Sequence, residues 1–158
     1  MENNSYNCTF TVKNNQDEVF DAICRVSDWW TKNTSGSATK LNDTFKVTFG
    51  ETFVRFKVVE MIPYSKVAWE VTDCYLHWIN DKTEWKNTRL EFDIYAIKGG
   101  TQMSFSHVGL VPGIECYESC EKGWNFYAGE SLLKLITQKN GIPDGNEPAN
   151  TAPIARHQ

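Results

Sequence analysis

The stretch from Cys116 to Gln138, CYESCEKGWNFYAGESLLKLITQ, constrains the fold more than any other part of the sequence. Its apolar and small residues recur at spacings of three, four or one, which is the pattern of one broad face of an α-helix. Most of its charged and amide side chains fall elsewhere. The pattern predicts one long amphipathic helix, and its buried stripe comprises Cys116, Cys120, Trp124, Tyr127, Ser131, Leu132, Leu135 and Ile136.

Two glycines, Gly123 and Gly129, interrupt this predicted helix. Each weakens a helix interior by roughly 1 kcal/mol relative to alanine. A glycine in such a place indicates either close packing against a strand or a space left open beside Trp124. The residues alone leave both interpretations open.

The residues before this helix alternate between apolar and polar side chains, as half-buried strands do. Turn residues separate the alternating runs, because glycine, proline and asparagine suit tight connections. The alternation predicts strands at 6–12, 44–49, 52–61, 66–72, 88–97 and 101–108. No pattern predicts the path of residues 74–86.

A different pattern occupies the region between the first two predicted strands. Asn15 and Glu18 stand three residues apart before an apolar stripe, which is the capping-box signature of a helix over about 16–24. A second short helix is predicted to carry Trp29 and Trp30. The run TSGSATK that follows has the composition of a loop.

The order is therefore strand, two short helices, a long antiparallel meander and one long helix. The simplest burial of both apolar faces is an α+β, helix-grip fold, in which a curved antiparallel sheet of about six strands wraps around the C-terminal helix. A gap between sheet and helix is a natural internal cavity. We expect one domain over 1–143 and a flexible tail over 144–158, since the tail is rich in Pro, Asn and Ala without periodicity.

Composition excludes several classes of function. The formal net charge is -4 and no dense Lys/Arg stripe exists, which argues against non-specific nucleic-acid binding. No run of about 18 apolar residues predicts a membrane span, and no basic and apolar leader predicts a secretory signal. The five cysteines show no tight framework, so we expect reduced thiols and a cytoplasmic protein.

Five strings in the chain resemble a known family: PYSKVAWEV, NTRLEFDI, GGTQMSFSHVGL, ECYESCEKGW and SLLKLIT-x-x-x-G-I-P. Together they resemble the family of the activator of heat-shock-protein-90 ATPase, in its small bacterial form, within the START-like (SRPBCC) helix-grip superfamily. The resemblance covers roughly residues 6–143. It implies a helix-grip fold that holds a hydrophobic small molecule or lipid between sheet and helix, or a domain that contacts a chaperone.

The predicted cavity would be lined from both sides. Its expected wall residues are Trp69, Phe92, Phe105, His107, Cys120, Trp124, Tyr127 and Ser131. His107 would either orient a ligand or act as an acid or base; the alternative is a core histidine bonded to a backbone carbonyl or to Tyr127. The aromatic rings would favour flat apolar ligands, or would themselves fill the space.

Motifs of several other chemistries are absent from the sequence. There is no Gly-rich phosphate loop and no Gly-x-Ser-x-Gly elbow. The three histidines are scattered, so no catalytic triad is predicted. Cys116 and Cys120 lie one helical turn apart without a second Cys/His pair, so no metal or cofactor is predicted.

Three functions remain open on the sequence. We favour a binding protein for a hydrophobic small molecule, rather than an enzyme. The alternative is a protein-interaction module that uses the outer sheet face or the region of Trp29 and Trp30. Exposure of these two tryptophans would favour this function. A hydrolase or cyclase acting in the pocket is the weaker third option.

Overall fold

The computed structural model describes residues 4–144 and shows an α+β chain built on a single sheet. The strands are β1 (Tyr6–Val12), β2 (Thr34–Gly36), β3 (Thr44–Phe49), β4 (Thr52–Ile62), β5 (Lys66–Tyr75), β6 (Arg89–Ile97) and β7 (Gly100–Val108). The helices are α1 (Gln16–Cys24), α2 (Val26–Trp29), α3 (Tyr117–Phe126) and α4 (Leu132–Gln138), with a π-helical segment, π1 (Tyr127–Ser131), between the last two. The predicted fold class is confirmed.

The sheet is antiparallel throughout, with the strand order β1-β7-β6-β5-β4-β3-β2. Consecutive strands from β2 to β7 are neighbours, and β1, the first strand of the chain, pairs with the last strand, β7. Register shifts between Arg55 and Phe56 and between Val58 and Glu60 interrupt the pairing of β4 with β5. Such irregularities bend a strand and increase its twist, which helps the sheet to curve.

The sheet has seven strands rather than about six, because β2 lies in the run predicted as a loop. Its three residues pair with β3, with Thr34 opposite Val47 and Gly36 opposite Phe45. Its burial pattern shows no buried side chain. A strand held by backbone pairing alone gives no apolar alternation, so its sequence carries no strand signal.

The two short helices lie where the sequence placed them. Asn15 and Glu18 form the predicted capping box at the start of α1. Trp29 and Trp30 point into the core and are fully buried, and the Trp29 indole donates to the carbonyl of Ile23 over 3.1 Å. Exposure of these tryptophans, which would have favoured a protein-interaction module, is therefore not found, because both rings complete the interior.

The long C-terminal helix runs from 117 to 138 and confirms the predicted amphipathic element. Every residue of the predicted stripe is buried. The helix ends because Lys139 adopts a left-handed conformation with φ 62°. Gly141 follows in a crowded position, where a Cβ would lie 2.3 Å from the carbonyl oxygen of Asp28.

The chain after this helix returns to the α2 region. The Asp144 amide donates to the Trp30 carbonyl, and the Lys32 amide donates to the Asp144 carbonyl, each over 2.9 Å. Asp144, which the sequence assigned to the tail, is thus held by backbone hydrogen bonds. The rest of that predicted flexible tail, 145–158, lies outside the described residues.

The stretch 74–86, whose path the sequence did not predict, ends β5 and then enters a loop over 76–88 that two carboxylates tie to the helix start. Glu84 accepts hydrogen bonds from the amides of Glu115 and Cys116 over 2.8 and 3.1 Å. Glu115 in turn accepts from the amides of Asn80 and Asp81 over 2.7 and 3.0 Å. This exchange holds the loop against the long helix and places Trp85 in the core.

No helix among residues 4–144 has the length and apolar character needed to cross a membrane.

Candidate functional site

The structure buries every predicted wall residue. Sheet positions on β5, β6 and β7 supply Trp69, Phe92, Phe105 and His107, while the helix supplies the others. Each of them is fully buried: Trp69, Phe92, Phe105, His107, Cys120, Trp124, Tyr127 and Ser131. Ring contacts and a hydrogen bond connect Trp69, Phe92, Phe105, His107 and Trp124 across the junction of sheet and helix, and ligand binding there stays a prediction.

Aromatic rings occupy this space in direct contact with one another. The Trp69 and Phe92 ring centroids lie 4.9 Å apart, and Phe92 and Phe105 are separated by the same distance. Phe105 lies 4.8 Å from Trp124 across the sheet–helix junction. Separations of this size are those of packed aromatic pairs. A ligand would enter this cluster only if at least one ring moved.

The sequence analysis did not name several other members of this ring cluster, among them Trp30, Phe45, Phe56 and Trp85. Trp30 lies 4.9 Å from Trp124, and Phe45 lies 4.9 Å from Trp69. Phe56 contacts both Phe45 and Trp69, and Trp85 lies 6.0 Å from Trp124. The alternation of β3 and β4 predicted that Phe45 and Phe56 share faces with other apolar residues, and could have identified them. Trp85 had no such signal, because it lies in the loop of unpredicted path.

His107 lies at the centre of a short chain of hydrogen bonds. The Trp124 indole N–H donates to His107 Nδ1 over 3.1 Å. Because an indole nitrogen only donates, Nδ1 carries no proton and the proton of the neutral ring is on Nε2. Nε2 lies 3.0 Å from Thr88 Oγ1, to which it donates, and the Thr88 hydroxyl donates to the Trp85 carbonyl over 2.6 Å.

Burial and these hydrogen bonds determine the protonation state of His107. Burial lowers the pKa of the imidazole to about 3, so the ring is neutral near pH 7. Both ring nitrogens are engaged, and the Trp85 ring meets the imidazole edge-on at 4.7 Å. The arrangement matches the alternative of a bonded core histidine, although its partners are Trp124 and Thr88 rather than a backbone carbonyl or Tyr127.

Trp69 presents the opposite situation. Its indole is fully buried among Phe45, Phe56 and Phe92, and its Nε1 has no hydrogen-bond acceptor among residues 4–144. A buried donor without a partner costs about 1–3 kcal/mol. Native proteins keep few such groups, and each one calls for a specific reason. An acceptor supplied from outside the chain is one such reason.

Two other predicted wall residues have structural partners. Ser131 in π1 donates to the Trp29 carbonyl over 2.7 Å and accepts from the Ile142 amide over the same distance. It therefore ties the helix to α2 and to the chain beyond the helix. π-helical segments of this kind occur frequently at functional sites.

The thiol of Cys120 lies beside that of Cys116, which accepts from the Trp85 indole over 3.3 Å. Burial raises the pKa of the Cys120 thiol well above its usual value, so the group stays protonated. The described part of the chain contains no cluster of three or more Cys, His, Asp or Glu side chains that could hold a metal ion.

A surface cavity reaches one edge of the ring cluster. It has a volume of about 220 Å³ and lies between the end of α1 and the connection from β2 to β3. Its lining residues are Cys24, Arg25, Val26, Ser27, Asp28, Thr34, Gly36, Ser37, Ala38, Thr39 and Phe45. Phe45 thus faces this cavity and also contacts Trp69.

A second surface cavity, of about 650 Å³, lies elsewhere, at the start of α1. It is lined by Lys13, Asn15, Gln16, Asp17, Tyr64, Ala96, Gly99, Gly100 and Thr101. The predicted wall residues are not among them, so this cavity is distinct from the predicted site.

Neither a family model nor a curated protein matches this sequence at a significant level. Solved structures do match. The Aha1 dimer from Colwellia psychrerythraea is 21% identical, with 86% of this chain and 98% of that chain covered and a TM-score of 0.69. Protein MLL2253 from Mesorhizobium loti is 11% identical, with 87% and 99% covered and a TM-score of 0.68.

CalU16 from Micromonospora echinospora is a third similar structure, 12% identical, with 84% of this chain and 76% of that chain covered and a TM-score of 0.59. Identities this low establish architecture and leave activity open. The seven-stranded sheet, the paired short helices and the long C-terminal helix therefore give this chain the helix-grip fold that it shares with the Aha1 structure.

Proposed function

We propose that this protein binds a flat, apolar small molecule that carries one hydrogen-bond acceptor, between the sheet and the long helix. The observation that carries the proposal is the Trp69 indole N–H, which is buried in an aromatic cluster and has no acceptor among residues 4–144. An apolar site with very few polar groups selects ligands that are mostly hydrophobic and oriented by a single contact. The wall would consist of the predicted residues around Trp69, Phe92 and Trp124.

The energetics of such a site favour one kind of ligand. Burial of apolar ligand surface contributes about 25 cal/mol per Å², and part of this gain offsets the displacement of a ring from the packed cluster. A bond from the ligand to Trp69 Nε1 would remove the cost of the unpaired donor. Since His107 has both nitrogens engaged, Trp69 rather than His107 would orient the ligand.

A matched pair of ligands tests this proposal. We expect 2-acetylnaphthalene, which has a carbonyl acceptor, to raise the melting temperature by mass action. 2-Ethylnaphthalene has nearly the same shape and no acceptor, and we expect it to bind about tenfold more weakly, as the loss of one hydrogen bond implies. Dissociation constants from isothermal titration calorimetry would measure the difference.

The control is Trp69→Phe, which keeps an aromatic ring and removes the donor. The preference for the ketone should disappear in this variant, while the hydrocarbon binds as before. The proposal fails if a broad set of flat and lipid-like compounds produces no thermal shift, or if the ketone remains preferred in Trp69→Phe.

A protein-interaction module is the second candidate, and one observation favours it. Large apolar side chains on one end of the outer sheet face are 40–50% exposed, namely Ile62, Tyr95 and Ile97. Hydrogen bonding of the Ile94 amide to the Ser65 carbonyl places the turn between β4 and β5 beside β6. Exposed apolar groups of this kind mark contact surfaces when they are contiguous.

The similar Aha1 structure is that of a dimer, so a second copy of this chain is the first partner to test, before a chaperone. Sedimentation velocity should show concentration-dependent association, and Tyr95→Lys should abolish it. A monomer at all concentrations would exclude self-association through this face.

We place either function in the cytoplasm. The five cysteines are all free thiols, which is the state expected in a reducing compartment.

A further inference from the structure

The surface cavity of about 220 Å³ has Phe45 in its lining and so reaches the edge of the buried aromatic cluster. One wall of the cavity is the junction of α1 and α2, and the other is the connection between β2 and β3. Phe45 itself is only 4% exposed. Its ring therefore belongs to the core on one side and closes the cavity on the other.

Phe45 also contacts the residue on which the proposed function rests. Its ring stacks on Phe56 at 5.0 Å and meets Trp69 edge-on at 4.9 Å. A rotation of this one side chain would join the surface cavity to the buried Trp69 indole. Phe45 therefore lies on the route between solvent and the unpaired donor.

The residues over this route form a compact loop, 37–43, held by one carboxylate. Asp43 Oδ2 accepts from the Ser37 hydroxyl over 2.8 Å, from the Thr39 and Lys40 amides over 3.1 and 3.0 Å, and from the Thr39 hydroxyl over 3.4 Å. Ala38 is 5% exposed and lines the cavity. One acidic side chain thus fixes the loop that covers Phe45.

The ends of this loop are anchored to the sheet independently of the carboxylate. At one end the Ser37 amide donates to the Thr44 carbonyl over 3.1 Å. At the other end the Asn42 amide donates to the Val58 carbonyl over 2.9 Å, and the Val58 amide donates to the Asp43 carbonyl over 2.8 Å. Gly36, just before the loop, has φ +97°, and Asn42 has φ 73°. The middle of the loop can therefore move while its ends remain paired with the neighbouring strands.

We propose that loop 37–43 is the lid of the interior ligand site, that the Asp43 carboxylate holds it closed, and that the Phe45 side chain is the gate through which a ligand reaches Trp69. This inference rests on the proposed function for its ligand, while the opening of the lid can be measured without one.

Asp43→Asn tests the lid, because the neutral amide keeps the shape of the side chain and weakens its hydrogen bonds. Asp81→Asn is the matched control, since Asp81 also holds a loop by accepting from the Thr83 amide and hydroxyl, and it does not line the cavity. Ser37→Ala removes one bond to Asp43 and should act in the same direction with a smaller effect.

Two readouts separate the lid from the ligand. The first is the rate at which N-ethylmaleimide modifies Cys24, which lines the cavity, with Cys8 on the distant strand β1 as internal reference, measured by peptide mass spectrometry. The second is the association rate of 2-acetylnaphthalene, measured by stopped-flow tryptophan fluorescence.

We expect Asp43→Asn to raise both rates about tenfold, as a loss of roughly 1.4 kcal/mol in lid closure implies, and Asp81→Asn to change neither. Faster labelling of Cys24 in Asp43→Asn, with no ligand bound by any variant, would support the lid and overturn the proposed function. Ligand binding with both rates unchanged in Asp43→Asn and Ser37→Ala would overturn the lid and leave the proposed function standing.

Discussion

Two tryptophans of the same aromatic cluster, Trp124 and Trp69, differ in the hydrogen bonding of the indole N–H. Trp124 donates to His107, which continues the chain of bonds to Thr88 and to the Trp85 carbonyl. Trp69 is as deeply buried and has no acceptor among the described residues. One half of the cluster is fixed by directional bonds and the other by apolar contact alone.

This difference divides the cluster into a structural half, around Trp124 and His107, and an adaptable half, around Trp69. The Trp124–His107 bond joins the long helix to β7, so it fixes the position of the helix over the sheet. The rings around Trp69 come from β3, β4 and β6, and no side-chain hydrogen bond holds them in one orientation. Packing without directional bonds tolerates rearrangement more easily than a satisfied polar network does.

Trp→Phe substitutions in the two halves should give the largest changes in the free energy of unfolding, and they test the comparison directly. We expect Trp124→Phe to lower the free energy of unfolding by about 3 kcal/mol, because it shrinks a core side chain and leaves His107 Nδ1 unpaired. Trp69→Phe should cost about 1–2 kcal/mol, since it removes volume and no hydrogen bond. Urea denaturation at pH 7 measures both values, and equal values would contradict the division.

A pH titration of stability sharpens the comparison at the structural half. The His107 pKa is lowered to about 3 in the folded state, so the unfolded chain binds the proton first as pH falls below about 6.5. Stability is therefore full above the unfolded pKa and is lost as pH falls. The expected loss between pH 6.5 and pH 5 is about 2 kcal/mol.

This window lies above the range in which unfolded carboxylates titrate. His107→Gln should flatten the dependence. A flat profile in the unmodified protein would show that His107 is not held neutral by burial.

Thr88→Val gives the smallest of these effects and tests the end of the polar chain. It keeps the shape of the side chain and removes the acceptor for His107 Nε2, so we expect a loss of about 1–2 kcal/mol in the free energy of unfolding. Thr88→Ser retains the hydroxyl and should recover most of the stability. Thermal denaturation of the two variants side by side measures this, and equal destabilisation would assign the effect to packing rather than to the hydrogen bond.

Much of the architecture was predictable because it is encoded locally. The stripe of the long helix, the Asn15–Glu18 cap and the alternation in β3, β4 and β6 each depend on neighbouring residues. Apolar side chains that share a face at regular spacing indicate a buried surface. The predicted wall residues followed from the same periodicities, and the structure buries all of them.

The features that were missed depend on contacts distant in sequence. Thr88 meets His107 through the β6–β7 hairpin, in which Arg89 pairs with Val108; counting outward from the predicted turn at Lys98-Gly99-Gly100 could have found this neighbour. The place of Trp85 depends on the carboxylate exchange between Glu84 and Glu115, which no periodicity reveals. That Trp69 lacks an acceptor within the described part of the chain is a property of its whole surroundings, so one sequence contains no signal for it.

The π-helical segment Tyr127–Ser131 has a consequence for the length of the C-terminal helix. The Leu132 amide bonds to the Tyr127 carbonyl, five residues back instead of four, so this turn accommodates one residue more than a regular α-helical turn. Trp124 before it and Leu135 after it are both buried. A deletion of one residue within this turn would leave both ends in phase, whereas the same deletion inside Tyr117–Phe126 would rotate Cys116 and the start of the helix by about 100° relative to the sheet.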